Sequence, residues 1–212
     1  VKANICLRTG ERVLLVLAEF PAKSFEELFQ GVYHTHLERF IPKDGQFPVK
    51  GHCLNSQLMS VPDCQAIIKK AVVERLKSHY HLGWFEETGA LYQIQFTLLK
   101  DEATLLIDTS GPGLHKRGYR QNAGGAPIKE TLAAAILLFS LWKGDRILVD
   151  PFCGSGTFVI EAAMMAAVIA PGMNRTFLAQ QWRELVPEKC WRDALEEARE
   201  QVDLSVATDI QG

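Results

Sequence analysis

The sequence lacks every pattern that would insert the chain into a membrane or mark it for secretion. No apolar run approaches the roughly 20 residues that a membrane-spanning helix needs. The opening residues, Val-Lys-Ala-Asn, are not the basic and then apolar start of a signal peptide. We therefore expect a cytoplasmic protein without a membrane partner. Because the chain begins without methionine, we also expect it to be part of a longer protein.

The sequence is also poor in groups that could hold a metal or form a disulfide framework. The five cysteines are widely spaced and form no Cys-x-x-Cys pair, which argues against a zinc site. The six histidines do not stand at metal-ligand spacing. We predict no bound metal and reduced cysteines, as in cytoplasmic proteins.

The first 110 residues contain both helical and strand patterns, which predicts an α+β domain. Residues 12–18 form a short apolar run, and residues 62–78 show the apolar stripe of an amphipathic helix. Residues 92–98 alternate apolar and polar side chains, and residues 104–108 follow as the returning strand. We assign residues 1–110 to this domain.

A second domain is predicted after a change in composition. Residues 111–125 are rich in glycine and basic side chains, which is typical of a linker. Residues 126–212 then alternate helix and strand, the pattern of an α/β domain. The predicted strands are 146–149 and 202–208, so Asp209 is expected at the end of the second strand.

Asp-Pro-Phe-Cys-Gly-Ser-Gly-Thr at 150–157 joins the first of these strands to an alanine-rich helix. Gly154 and Gly156 permit backbone conformations and a close ligand approach that a Cβ atom would block. The helix that follows directs its free N–H groups at the ligand. An acidic residue after the next strand could accept hydrogen bonds from both hydroxyls of a ribose, which makes Asp209 the candidate. The order strand, glycine loop, helix, strand and acid predicts a Rossmann-like nucleotide site.

The glycine loop discriminates among nucleotide classes. A dinucleotide site requires a third glycine, but position 159 is valine, and a P-loop requires a lysine that is absent after Gly156. Asp150 would repel a pyrophosphate, whereas its charge suits the cationic methionyl end of S-adenosylmethionine. An NAD-dependent oxidoreductase is therefore disfavoured, and S-adenosylmethionine is the expected cofactor.

A basic cluster lies in and beside the predicted linker. Its members are His115, Lys116, Arg117 and Arg120, with Tyr119 between them. The net charge of only -2 excludes a surface that is positive all over but allows such a local patch. The cluster could be a solvated linker, but the aromatic residue and the position between domains favour contact with nucleic acid.

The loop and its flanking motifs resemble those of a known family. The flanks are Leu-His-Lys-Arg-Gly-Tyr-Arg at 114–120, Ala-Pro-Ile-Lys-Glu-Thr-Leu-Ala at 126–133, Ile-Glu-Ala-Ala at 160–163 and Ala-Pro-Gly-Met-Asn-Arg at 170–175. Together with the loop they resemble THUMP-domain class I methyltransferases of the bacterial 23S rRNA guanine-N2 group. Members of that group are often labelled N6-adenine-specific DNA methylases. The resemblance covers essentially the whole chain.

The resemblance implies a ferredoxin-like and THUMP domain that binds RNA, followed by an incomplete Rossmann-like methyltransferase domain. The expected reaction is methylation of an exocyclic amino group, guanine N2 in 23S rRNA. The cofactor site implied by the motifs comprises Thr131, Asp150, Phe152, Gly154, Ser155, Gly156 and Asp209. The basic cluster would then contact RNA.

One motif of the family is absent. The family's catalytic loop, Asn/Asp-Pro-Pro-Tyr/Phe, does not occur in these 212 residues, so no catalytic residue is assigned. We expect this chain alone to be inactive as an enzyme. Two alternatives stay open: an N6-adenine methyltransferase that acts on DNA, and a non-catalytic RNA-binding fragment.

Overall fold

A computed structural model describes residues 1–120 and 127–212 of the chain. Its mixture of helices and strands confirms the predicted α/β class. The helices are α1 (Lys2–Cys6), α2 (Phe25–His34), α3 (Val61–Tyr80), α4 (Glu130–Phe139), α5 (Thr157–Ala166) and α6 (Glu188–Glu200). The strands are β1 (Leu14–Pro21), β2 (Val49–Leu54), β3 (Ile94–Leu99), β4 (Glu102–Asp108), β5 (Leu148–Val149) and β6 (Ile210–Gln211).

The chain divides into two compact units. One is Leu14–Gly111, and the other combines Val1–Val13 with Pro112–Gly212. The sequence-based division differs from this one at the amino terminus, because it assigned the first 13 residues to the N-terminal domain. Residues 121–125 of the predicted linker lie outside the described residues.

The unit Leu14–Gly111 is built on a four-stranded sheet in the order β1-β4-β3-β2. β4 pairs antiparallel with both β1 and β3, whereas β2 runs parallel to β3. The predicted alternation of β3 is observed, since Ile94, Phe96 and Leu98 are buried. α2 and α3 pack against each other and bury Leu28, Val32, Ile68, Val72 and Leu76. This arrangement confirms the α+β prediction for this part of the chain.

A short 3-10 turn, Leu37–Arg39, is fastened to α3 in the same unit. Arg75 on α3 donates two hydrogen bonds to the carboxylate of Glu38, one of them from Nε at 2.8 Å. Both side chains are largely shielded from solvent. The Arg75 hydrogen bonds are the main cause that lowers the pKa of Glu38 to about 2.

The second unit joins the N-terminal segment to the helices that follow residue 127. The N–H of Gly172 donates to the carbonyl of Ile5 at 2.8 Å, and Arg8 donates to the carbonyl of Ile169 at 2.6 Å. Lys2 forms an ion pair with Glu197 on α6 at 2.6 Å. These contacts explain why Val1–Val13 belongs to this unit although more than 150 positions separate the partners.

β5 and β6 form a two-stranded parallel sheet, with Leu148 opposite Ile210. The prediction of a strand over 202–208 is wrong, because β6 begins only at Ile210. α5 ends at Ala166, before Val168 adopts the left-handed conformation with φ of 54°. In the described part of the chain, no helix combines the length and apolarity required to cross a membrane.

Candidate cofactor site

The glycine loop lies between the end of β5 and the start of α5, as the sequence predicts. Gly154 and Gly156 have φ of 55° and 73°, in the left-handed region that favours glycine. The N–H of Gly156 donates to the carbonyl of Cys153 at 2.8 Å, which closes a tight turn directly before Thr157. A side chain at Gly156 would be strained by this backbone. The loop therefore brings main chain, rather than side chains, to the amino terminus of α5.

Asp150 anchors the first half of the loop. Its N–H donates to the carbonyl of Gln211 at 2.8 Å, which continues the pairing of β5 with β6. Its carboxylate accepts a hydrogen bond from the N–H of Phe152 at 3.2 Å. Phe152 is 93% exposed, so its ring is open to a planar ligand. Ser155 lies on the helix side, with its hydroxyl 3.4 Å from that of Thr157.

Asp209, predicted to bind the ribose, lies at the other end of the strands. Its carbonyl accepts from the N–H of Leu148, at the amino end of β5. It also lines an open cavity of about 350 Å³ together with residues 144–147. The residue beside the glycine loop is instead Gly212, where an added Cβ would stand 2.9 Å from Cβ of Cys153. The carboxylate of Asp209 accepts a hydrogen bond from the side chain of Gln211 at 2.9 Å, and its role as ribose acceptor stays a prediction.

Thr131 is buried in the first turn of α4, and its hydroxyl is 3.5 Å from a carboxylate oxygen of Glu11. The same carboxylate lies 2.6 Å from Nδ1 of His115 and 3.6 Å from Nζ of Lys129. Partial burial acts to raise the pKa of Glu11, but the His115 hydrogen bond and the two neighbouring positive charges outweigh it and lower that pKa. Glu11 therefore joins the N-terminal segment to the start of α4. The placement of Thr131 at a cofactor stays a prediction.

Two members of the predicted RNA-binding cluster point into the protein. Arg117 is only 3% exposed; it donates to the carbonyls of Leu114 and Arg8 and lies 3.4 Å from Glu161. The hydroxyl of Tyr119 donates to Glu161 at 3.2 Å. Arg117 thus has partners inside the protein, and its direct contact with RNA stays a prediction. Tyr119 is half-buried, and its hydroxyl is engaged in this hydrogen bond inside the unit.

The remaining members, His115, Lys116 and Arg120, line a cavity of about 360 Å³. Lys116 is exposed, whereas Arg120 donates to the hydroxyl of Thr157 at 2.5 Å and lies 3.4 Å from Glu130. The cavity is also lined by Lys129 and Glu130. Most of these cations already face carboxylates, so Lys116 is the cation of the cluster best exposed to an external anion.

Glu161 is the main buried charged residue near the site that sequence reasoning did not single out. It is fully buried, and burial is the largest effect on its carboxyl, raising the pKa against the opposing effect of Arg117. The sequence feature that could have identified Glu161 is its position as a carboxylate within the apolar run Ile-Glu-Ala-Ala at 160–163. A charge on an apolar helix face requires a partner. The sequence alone does not show that the partner is Arg117, 44 positions away.

Two family matches cover most of the chain. Residues 22–108 match the THUMP domain, and residues 117–211 match the family described as "RMKL-like, methyltransferase domain". The first range corresponds to the unit with the four-stranded sheet, and the second to the C-terminal part that carries the glycine loop.

Curated relatives match over nearly the full chain. "Putative RNA methyltransferase YpsC" of Bacillus subtilis is 50% identical over 95% of this chain and 53% of its own length. "Ribosomal RNA large subunit methyltransferase K/L" of Psychromonas ingrahamii is 39% identical over 89% of this chain and 26% of its own length. The chain thus spans about half of the first relative and about a quarter of the second.

A solved structure agrees with these matches. It is described as SMU.472, "a putative methyltransferase complexed with SAH", and shares 47% identity with a TM-score of 0.92. The match covers 99% of this chain and 55% of that one. With both family matches in chain order and the glycine loop in place, the chain combines a THUMP domain with an RMKL-like methyltransferase domain.

Proposed function

We propose that this chain forms part of an S-adenosylmethionine-dependent methyltransferase that modifies an exocyclic amino group of a base in RNA. The observation that carries the proposal is the glycine loop between β5 and α5, which presents main chain at the amino terminus of α5 and the carboxylate of Asp150 at the end of β5. The relative complexed with SAH, the demethylated form of that cofactor, supports the same ligand. The substrate we propose is guanine N2 in 23S rRNA.

The residues of the loop fit this cofactor. Left-handed Gly154 and Gly156 leave room for an adenosine to approach the backbone, and the exposed ring of Phe152 can pack on a flat base. Asp150 offers an acceptor for the ammonium of the methionyl end. The cofactor, when bound, supplies a methyl group already activated by its sulfonium. The protein then mainly has to position the base, because proximity and orientation can contribute several orders of magnitude to the rate.

RNA is the proposed substrate because the chain carries a THUMP domain and because relatives named as RNA methyltransferases match 95% and 89% of it. Lys116, exposed at the cavity beside the loop, is a candidate for phosphate contact. The target base would be turned out of its stack to reach the methyl group. An enzyme with this substrate works in the cytoplasm, where ribosomes are assembled.

Cofactor binding is tested by calorimetry of the full-length protein with S-adenosylmethionine. We expect Asp150→Ala to weaken binding at least tenfold, because the loop loses its anchor and its carboxylate. Asp145→Ala is the matched control, since Asp145 is an exposed carboxylate at the opposite end of β5. Equal binding by the wild type and Asp150→Ala would contradict the proposed role of the loop.

The reaction is tested by incubating the full-length protein with S-adenosylmethionine and unmodified 23S rRNA, followed by nucleoside mass spectrometry. The expected product is N2-methylguanosine. N6-methyladenine in a DNA substrate, without modified RNA, would favour the DNA alternative. RNA binding without any methyl transfer would favour a non-catalytic RNA-binding protein.

A further inference from the structure

The basic motif of residues 117–120, here called the strap, lies along one face of α5. Arg117 and Tyr119 contact Glu161, and Arg120 contacts Thr157. Glu161 and Thr157 are four positions apart, so their side chains point from the same face of the helix. Both are almost fully buried. The strap is therefore fixed to the helix whose amino terminus follows the glycine loop.

Arg120 occupies the end of the strap nearest the loop. Its Nη2 donates to the hydroxyl of Thr157 at 2.5 Å and lies 3.4 Å from a carboxylate oxygen of Glu130. Its side chain is 16% exposed, and that of Glu130 is 6% exposed. A guanidinium engaged in this way joins the first residue of α4 to the first residue of α5. Contact with an RNA phosphate would require Arg120 to leave a paired, largely buried position.

Thr157 connects the hydrogen bond from Arg120 to the glycine loop. It directly follows left-handed Gly156, and its hydroxyl is 3.4 Å from that of Ser155. A cation near the amino terminus of a helix interacts unfavourably with the helix dipole. Here the carboxylate of Glu130, 3.4 Å from Arg120, offsets this unfavourable interaction. The pairing therefore holds the first turn of α5, and the loop that leads into it, in one arrangement.

We propose that Arg120 is a positioning residue for the cofactor loop, acting through Thr157, and does not contact the RNA. This inference rests on the proposed function, because it assumes that the loop binds S-adenosylmethionine. Preorganising a site increases affinity by reducing the ordering that binding must impose. Loss of the Arg120–Thr157 hydrogen bond should thus weaken the cofactor and leave the RNA unaffected.

The test compares two dissociation constants in the full-length protein, one for S-adenosylmethionine and one for 23S rRNA. We expect Arg120→Ala to weaken cofactor binding about tenfold, a value in the range of a lost charge-assisted hydrogen bond, with RNA affinity within twofold. Thr157→Val should reproduce the effect because it keeps the shape and removes the hydroxyl. Thr157→Ser should restore wild-type binding. The double variant Arg120→Ala/Thr157→Val should be no weaker than either single one.

Controls separate the outcomes. Arg192→Ala removes an exposed cation on α6 and should change neither constant. If Arg120→Ala does not fold, Thr157→Val and Thr157→Ser still decide the question. Weaker RNA binding with unchanged cofactor binding would overturn the inference and return Arg120 to the RNA interface. Unchanged cofactor binding in Thr157→Val would also overturn it, whereas a wild type that binds no S-adenosylmethionine would refute the proposed function itself.

Discussion

Burial separates the cysteines into reactive and protected thiols. Cys64 is fully buried, and burial is the main cause that raises its pKa to about 12, reinforced by Cys53, whose sulfur lies 3.8 Å away. Cys6 and Cys190 are exposed. Because the thiolate is the reacting form, we expect iodoacetamide at neutral pH to label Cys6 and Cys190 first and Cys64 last. Peptide mass spectrometry over time measures the order, and early labelling of Cys64 in folded protein would contradict it.

Glu161 is a carboxylate whose removal should be costly for the unit that contains α5. Without it, buried Arg117 loses its counter-charge and Tyr119 loses a hydrogen-bond acceptor. We expect Glu161→Ala to lower the free energy of unfolding by about 3 kcal/mol, measured by urea denaturation. Glu196→Ala on α6 is the control, since that carboxylate is not buried. Equal losses in the two variants would contradict a structural role for the buried pair.

At the level of single residues, the sequence identified notable residues more reliably than it identified their contacts. The glycine loop was predictable because its residues are contiguous and each conformational demand is local. Arg117 was assigned to RNA because it stands in a basic cluster that contains an aromatic residue and lies between two predicted domains. Its real partners are Glu161 and the carbonyl of Arg8, far away in sequence. No local pattern reports such long-range pairing.

Among the elements, α3 and the hairpin of β3 and β4 were predicted well, because their periodic patterns extend over many residues. β6 was misplaced because residues 202–208 are apolar and β-branched enough to resemble a strand, whereas only Ile210 and Gln211 pair with β5. Asp209 therefore directly precedes β6 instead of following the predicted strand.

The predicted role of Asp209 has a measurable consequence. Asp209 directly precedes β6, and its carboxylate accepts a hydrogen bond from the side chain of Gln211 at 2.9 Å. If it binds the ribose, we expect Asp209→Ala to weaken S-adenosylmethionine binding about tenfold in calorimetry, because two hydroxyl contacts are lost. Wild-type affinity in Asp209→Ala would contradict the ribose assignment made from the sequence.

The turn Leu37–Arg39 gives the THUMP unit a predictable response to acid. Arg75 lowers the pKa of Glu38 from 4.5 to about 2, so the ionised carboxylate is favoured in the folded state. The stabilisation is complete above about pH 4.5 and is lost as the pH falls towards 2. We expect Glu38→Gln to be less stable than wild type by about 1–2 kcal/mol at pH 7, with the difference vanishing near pH 2. Urea denaturation across this range measures it, and a pH-independent difference would contradict the ion pair.

For the molecule as a whole, the most consequential feature is that the first 13 residues complete the unit that carries the glycine loop. Sequence patterns could not show this, because α1 is only one turn long and its contacts lie beyond residue 160. Ile5 is fully buried, and Gly172 approaches it so closely that an added Cβ would stand 2.7 Å from Cα of Ile5. The glycine at position 172 is thus required by packing against the backbone of α1.

Gly172→Ala tests that packing directly. The new methyl group would meet main-chain atoms of Asn4 and Ile5, which cannot turn aside as a side chain could. We expect a loss of about 2 kcal/mol in the free energy of unfolding, as for overpacked cores, and faster proteolysis within residues 1–13. Gly83→Ala is the control, since nothing lies within 4 Å of a Cβ there. If both variants are as stable as wild type, α1 can shift without cost, and the N-terminal segment does not help to hold the unit that carries the glycine loop.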